Sequence, residues 1–322
     1  MSQKPFGKLP SGARLARIRK SPNYREGSFQ NLAETIMMAE GTSYLKLMAN
    51  FFSKGVDRSP AHQLPSKRTN LKSLSGDDTN IIWFGHSTYF IRTKGKNILI
   101  DPVFSKRASP FQFMGVKGYD VAMPYSTADF PTIDALIITH DHYDHLDYNS
   151  LINLGSKVKS VYTALGVGSH LVYWGIEESR IKEFDWWEGE TILPGIDLIA
   201  TPARHFSGRS LTRNKTLWAS FVLKTNEHNL FLGGDSGYDA AFRTIGDNYG
   251  PFDLAILECG QYNTMWPNIH MMPEETVQAG ADLRARVVLP VHWGKFTLSL
   301  HPWREPIERA LRQAEFLNMT VT

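Results

Sequence analysis

One short stretch constrains this chain more than any other. The apolar run Ala135-Leu136-Ile137-Ile138 stops at Thr139-His140-Asp141-His142-Tyr143-Asp144-His145-Leu146-Asp147. The run reads as a buried strand. The polar stretch from Thr139 to Asp147 holds three histidines and three aspartates. Buried imidazole and carboxylate need partners, and a divalent cation supplies one for several groups at once. His140 and His142 stand two apart, so an extended turn can aim both at one ion. Asp144 and His145 come closely enough behind to face a second ion beside it. A polar surface turn is the alternative, but four candidate ligands in six residues directly after an apolar strand fit a metal centre better.

This H-x-H-x-D-H pattern resembles the signature of the metallo-β-lactamase fold superfamily. The resemblance implies a four-layer αββα sandwich and three more ligand stations. Thr201-Pro202-Ala203-Arg204-His205 would bring His205 to the ion of His140 and His142. Gly233-Gly234-Asp235-Ser236-Gly237 would let Asp235 bridge both ions. Leu289-Pro290-Val291-His292-Trp293-Gly294 would add His292 to Asp144 and His145. Five imidazoles and two carboxylates form a borderline N/O set that suits two Zn²⁺ ions, with Fe or Mn as alternatives. The single cysteine, Cys259, excludes both an internal disulfide and a cysteine-built zinc site.

Read in order, the chain mixes strands and helices. Ile81–Phe84, Tyr89–Arg92 and Asn97–Ile100 read as short strands broken by Gly85-His86-Ser87 and Lys94-Gly95-Lys96. Residues 103–134 read as a long loop. Helices are expected at Ala164–Trp174, Tyr238–Ile245, Glu274–Arg284 and Glu305–Asn318. Hairpins are expected at Ile192–Ala200 and over Trp218–Leu223 with Leu230–Leu232, and buried strands at Leu254–Leu257 and Val287–Leu289. This pattern alone gives an α/β or α+β fold. We divide the chain into residues 1–56, a basic arm plus an apolar segment packed on the core, and residues 57–322, the hydrolase domain. Residues 1–30 read as loosely ordered. The apolar stretch 31–56 is expected to pack on the core, with a lipid-entry lip as the other reading.

Seven basic groups and one acid lie in residues 1–28, so the rest of the chain is slightly acidic although the whole carries +3. An acidic body argues against nucleic acid as a partner. The arm is either a solvated tail, a peripheral contact for anionic lipid, or a transit peptide. There is no apolar run of ~20 residues and no apolar leader. A cytoplasmic protein, peripheral to the membrane at most, is the expectation, and the sequence leaves a homodimer open without fixing the oligomeric state.

Several words resemble a narrower family, the N-acylphosphatidylethanolamine-hydrolysing phospholipases D and their bacterial relatives: Trp83-Phe84-Gly85-His86-Ser87, Asp101-Pro102-Val103-Phe104-Ser105, Thr201 through His205, Gly250-Pro251-Phe252-Asp253-Leu254, His270 through Glu275, and His292-Trp293-Gly294. That family implies a dinuclear phosphodiesterase in which two cations lower the pKa of a shared water. Its small-molecule or lipid phosphodiester substrate would meet Asp235 and His270 as catalytic groups, with Arg204, Arg209 and Tyr262 binding it. His270 would hydrogen-bond the developing oxyanion or protonate the leaving group, or merely open a helix before Pro273. Asp101 would hold a ligating histidine from behind, or merely end a strand. His86 and His301 read as structural, and Cys259 as a buried filler. Glu258-Cys259-Gly260-Gln261-Tyr262 departs from the family pattern near the expected pocket rim. A lactonase or other carbonyl hydrolase, resembling the ascorbate-phosphate lactonase group, is the alternative function.

Overall fold

Alternation along single strands builds two facing sheets. The structure is a computed structural model describing residues 4–43, 49–50, 57–119 and 125–322. The first sheet comprises β1 (Asn80–Trp83), β2 (Tyr89–Thr93), β3 (Lys96–Ile100), β4 (Ile133–Ile138), β5 (Val158–Ala164) and β6 (Ile181–Phe184), in the spatial order β6-β5-β4-β3-β2-β1. The second comprises β7 (Gly189–Leu193), β8 (Ile196–Thr201), β9 (Ser220–Thr225), β10 (Asn229–Leu232), β11 (Leu254–Glu258), β12 (Val287–Val291) and β13 (Thr320–Val321), paired in chain order.

Successive side chains on a strand face opposite sides of its sheet. On β9, Phe221 and Leu223 enter the core between the sheets, while Val222 packs with Phe242 and Ile245 beyond the second sheet. On β10, Leu230 and Leu232 point inward and Phe231 outward. A register slip of one residue would exchange these sets, so burial on both faces pins the pairing. β4 is buried along its whole length, and this matches a central strand covered on both sides.

Helices close the outer faces. Beyond the first sheet lie α2 (Tyr148–Leu154) and α3 (Gly168–Tyr173), the N-terminal α1 (Gly12–Ile18) having come earlier in the chain. Beyond the second lie α4 (Ala241–Tyr249), α5 (Pro273–Asp282) and α6 (Glu305–Leu317). The result is the expected αββα order. Pro273 opens α5 where a missing N–H is harmless, and Glu275 Oε2 accepts from Met272 N at 2.8 Å. No described helix is long and apolar enough to cross a membrane.

The structure departs from the sequence expectations in five places, one being the helix expected at Tyr238–Ile245, which spans Ala241–Tyr249. The helix expected from Ala164 begins only at Gly168, because Ala164 still ends β5. Strands β5 and β6 and helix α2 had no clear signal. The long loop 103–134 contains a small hairpin of Arg107–Ala108 with Val116–Lys117. Most consequentially, the N-terminus is ordered. Ile18 and Phe29 are fully buried, and Tyr24–Arg25 pairs with Ser28–Phe29. Two of its cations meet acids: Arg14 pairs with Glu183 at 2.7 Å and with Glu178 at 3.0 Å, and Arg17 pairs with Glu188 at 2.6 Å. Of the apolar stretch 31–56, Leu45, Leu47, Met48, Phe51 and Phe52 lie outside the described residues.

Candidate metal centre

The ligand stations sit where strands end. β4 runs into His140, β8 leads to His205, β10 leads to Asp235, and β12 ends just before His292. Because these strands belong to both sheets, the stations meet at one edge of the sandwich. Two groups result, each with ligand atoms within 4.8 Å of one another: His140, His142, His205 and Asp235, and His86, Asp144, His145 and His292. Asp235 Oδ2 lies 3.8 Å from His140 Nε2, 3.7 Å from His205 Nε2 and 3.1 Å from His145 Nε2, so it stands between the groups. Its Oδ1 lies 3.1 Å from His292 Nδ1.

Glycine makes this approach feasible. A Cβ at Gly237 would stand 1.9 Å from the Asn268 carbonyl oxygen, so only glycine lets the Asp235 turn pack on the segment that carries His270. Around the site, the non-glycine residues His86 (φ +52°), Asp101 (φ +41°) and His292 (φ +65°) occupy the left-handed region. Such backbone costs roughly 1–3 kcal/mol per residue and persists where surrounding contacts enforce it. Here Thr88, Thr139 and the His86–His292 backbone pairing supply those contacts.

The outer nitrogens of the imidazoles are anchored, turning the other nitrogen inward. His145 Nδ1 donates to Asp101 Oδ2 at 2.8 Å, and Asp101 is itself fixed by the Thr139 N–H at 2.9 Å and the Thr139 hydroxyl at 2.7 Å. His205 Nδ1 donates to the Ile269 carbonyl at 2.8 Å. His86 differs: its Nε2 donates to Asp144 Oδ2 at 2.8 Å, so it fixes that carboxylate rather than presenting a ring of its own. Anchors of this kind set the tautomer and aim of a metal ligand, and losing one typically weakens metal affinity 10–100-fold. Asp101→Ala is therefore expected to weaken affinity by roughly that factor, as read by competition with a chromophoric chelator. Unchanged affinity would remove Asp101 from this role.

The donor set fits divalent cations. Inside the cluster, His142 Nε2, His145 Nε2 and Asp235 Oδ1 are buried without a hydrogen-bond partner. Nature rarely leaves such atoms unpaired. Burial and the neighbouring imidazoles hold His140 well below its ordinary pKa. Burial likewise dominates the lowering at His205 and His292. These rings are therefore neutral donors with lone pairs available. His145 is the exception. Burial lowers it, but Asp235, Asp144 and Asp101 together hold its proton well above the ordinary range. A bound cation would take the place of that proton. His140, His142, His205 and Asp235 would hold one ion, and Asp144, His145, His292 and Asp235 the other.

His270 stands at the wall of the same site. Its Nδ1 donates to Glu258 Oε2 at 2.8 Å, and its ring stacks 5.2 Å from that of His292. With Asp235 and His292 it forms a third group of converging atoms. Burial pushes the Glu258 carboxyl up, and burial lowers His270 while the Glu258 carboxylate more than reverses that shift. Glu258 also accepts from Met271 N at 2.9 Å, which fixes the loop that presents His270.

The structure differs from expectation at the three substrate-binding positions. Arg209 is buried and aims inward: Nη1 donates to the carbonyls of Asp141 at 2.7 Å and Leu146 at 2.8 Å, and Nη2 to that of Pro5 at 2.7 Å. It braces the ligand loop rather than facing a substrate. Arg204 is engaged with Thr35, Tyr238 and the Glu34 carbonyl. Tyr262 is buried with its hydroxyl on Glu305 Oε1 at 2.6 Å. All three polar ends are held by protein groups, those of Arg209 by carbonyls that flank the ligand turn itself. His301 accepts from Gln261 N at 2.9 Å, a structural contact, and Cys259 is fully buried with its thiol pushed up by burial. The sequence placed Glu258 only in a stretch near the pocket rim and gave it no role, did not single out Arg213, and read His86 as structural. Glu258 carried one usable signal: an apolar strand that runs directly into an acid.

Two stacked sheets whose strand ends gather imidazoles and carboxylates define a metallo-hydrolase. A family model described as "Beta-lactamase superfamily domain" matches residues 96–293. An uncharacterized protein of Mycobacterium tuberculosis is 41% identical over 319 residues, covering 96% of this chain and 85% of that one. The N-acyl-phosphatidylethanolamine-hydrolyzing phospholipase D 1 of Caenorhabditis elegans is 31% identical over 277 residues, covering 78% of this chain and 77% of that one. Among solved structures, the metallo hydrolase Igni18 of Ignicoccus hospitalis matches with a TM-score of 0.59 at 21% identity, over 76% of this chain and 94% of that one. The chain belongs to the β-lactamase superfamily, as a metal-dependent hydrolase related to the N-acyl-phosphatidylethanolamine-hydrolyzing phospholipases D.

Proposed function

We propose that this chain is a dinuclear phosphodiesterase that cuts a lipid phosphodiester, with zinc as its metal. The observation that carries this is the 31% identity to the nematode phospholipase D across more than three quarters of both chains. The cleft above the cluster supports it. Of about 340 Å³, it is lined by Met37, Met38, Phe206, Trp266, Ile269 and Leu298 beside the ligand residues. Methionine and aromatic walls accommodate acyl chains of varied shape. Leu32, Ile36 and Leu211 are exposed apolar residues in the segments that carry Met37, Met38 and Phe206, and they favour a lipid surface over a dissolved substrate.

When bound, the divalent ions supply Lewis acidity toward a phosphoryl oxygen and ready water for attack. The chain's own residues orient and exclude. Asp101 and Ile269 hold the ligating rings, and the apolar wall limits bulk water. His270, anchored through Nδ1 on Glu258, offers Nε2 to the leaving oxygen and hands it a proton. Water adds to phosphorus, the P–O bond to the alcohol breaks, and a phosphate monoester and an alcohol are released.

The test is hydrolysis of N-acylphosphatidylethanolamine in mixed micelles and of bis(p-nitrophenyl) phosphate by the zinc-loaded enzyme. Release of N-acylethanolamine and p-nitrophenol is expected. No turnover of either substrate at full metal loading would remove the proposal. The carbonyl-hydrolase reading draws on one specific observation: Arg204 and Arg209 are both engaged within the protein, as a lactone substrate would permit. Lactone hydrolysis with no phosphodiester cleavage would favour that reading.

A further inference from the structure

The cleft has an adjoining opening of about 360 Å³, and His142, Asp144, Phe206, Arg213 and Leu298 line both. Among the described residues, Arg209 and Arg213 are the only lysine or arginine residues that line either one. Arg209 is engaged with backbone carbonyls. Arg213 is exposed, and among the described residues its guanidinium has one partner, an aromatic ring. That guanidinium lies 5.3 Å from the centroid of Phe206, whose ring is 4.4 Å from that of His142 and 4.8 Å from that of His205. Phe206 is thus a shelf. It touches the cluster through two ligand rings and holds a cation over its own ring.

An arginine on a solvated surface usually finds a carboxylate or moves freely. Stacking on a ring pre-organises this one, so less freedom is lost when its donors engage an oxyanion. No ion pair joins it to Asp144 or Asp235, the carboxylates that line the cleft. Its position, two ring contacts from the cluster, sets it back from the reacting bond.

We infer that Arg213 is an anion subsite at the cleft mouth, which reads a second anionic group of the substrate, a carboxylate or a phosphate, several atoms from the bond that is cut. This rests on the phosphodiesterase reading and adds a charge preference outside the reacting group. A guanidinium fork suits both oxyanions, through paired N–H donors.

The test uses three p-nitrophenyl alkyl phosphodiesters of equal tail length, ending in methyl, carboxylate or phosphate. With the zinc-loaded enzyme, Arg213→Met is expected to lower kcat/KM roughly tenfold for the anionic tails, through KM, and to leave the methyl tail within about twofold. Arg213→Lys should retain part of the preference. The tail that loses more identifies which oxyanion is read. Equal losses on all three, or none on any, would overturn the subsite. Calorimetric binding of the matching non-hydrolysable phosphonates separates this from failure of the phosphodiesterase reading. If the wild type turns over none of the esters yet binds the anionic tails more tightly, and Arg213→Met abolishes that difference, the subsite stands and the phosphodiesterase reading falls. Equal affinities for the three tails would overturn the subsite whatever the turnover.

Discussion

Replacing Asp235 by Asn should cut hydrolysis by roughly 10³-fold, equivalent to about 4 kcal/mol of transition-state stabilisation. Asp235 is the carboxylate that stands between the two ligand groups, within 4 Å of His140, His145, His205 and His292. The amide keeps the shape but removes the charge and one of the two equivalent oxygens. Burial would push the Asp235 carboxyl up, yet the His145 and His292 imidazoles hold it well below the ordinary range, so it is ionised and ready to neutralise a cation. The variant should fold, because Asn fills the same volume. Its circular dichroism should match the wild type, while zinc bound per chain falls. Activity within tenfold of the wild type at full zinc loading would show that the two groups do not act through this residue.

Arg209→Met should destabilise the fold by about 3–5 kcal/mol, a large effect for one side chain. The guanidinium is buried, stands over the rings of Tyr143 and Trp174, and donates to the carbonyls of Pro5, Asp141 and Leu146. Methionine would leave buried carbonyls unpaired, at about 1–3 kcal/mol each. Those carbonyls bracket the turn that carries His142, Asp144 and His145, so metal affinity should fall along with the melting temperature. Arg209 also ties that turn to the N-terminal segment through Pro5. Urea unfolding with and without zinc measures both effects. A variant of wild-type stability that lost only KM toward phosphodiesters would return Arg209 to substrate binding.

The strand ends were legible because burial on both faces writes a continuous apolar run, and a polar cluster after it has few structural uses. Ala135–Ile138 before His140 is of this kind, and Val287–Val291 before His292 is apolar throughout although Val287 and Leu289 are only partly buried. The second-rank residues were not legible in the same way. Arg204 and Arg209 adjoin the ligand stations just as a phosphate-binding pair would, and only the packing reveals that backbone carbonyls hold them. His86 comes after an apolar run with glycine before it, but its place beside Asp144 depends on a contact 58 residues away in sequence. The N-terminus misled for a related reason. Proline, glycine and basic residues suggest a loose tail, yet the acids that fix Arg14 and Arg17 lie near residues 178–188. Local pattern reports periodicity. It does not report which distant group satisfies a charge.

The central claim is that seven side chains from four strand ends hold two cations. Anomalous diffraction at the zinc edge, from crystals grown with excess zinc, tests it directly. The account predicts two peaks with nitrogen and oxygen ligands at about 2.0–2.2 Å, one among His140, His142, His205 and Asp235, the other among Asp144, His145, His292 and Asp235. A cluster without a peak, or zinc bound only elsewhere while these side chains satisfy one another, would contradict it.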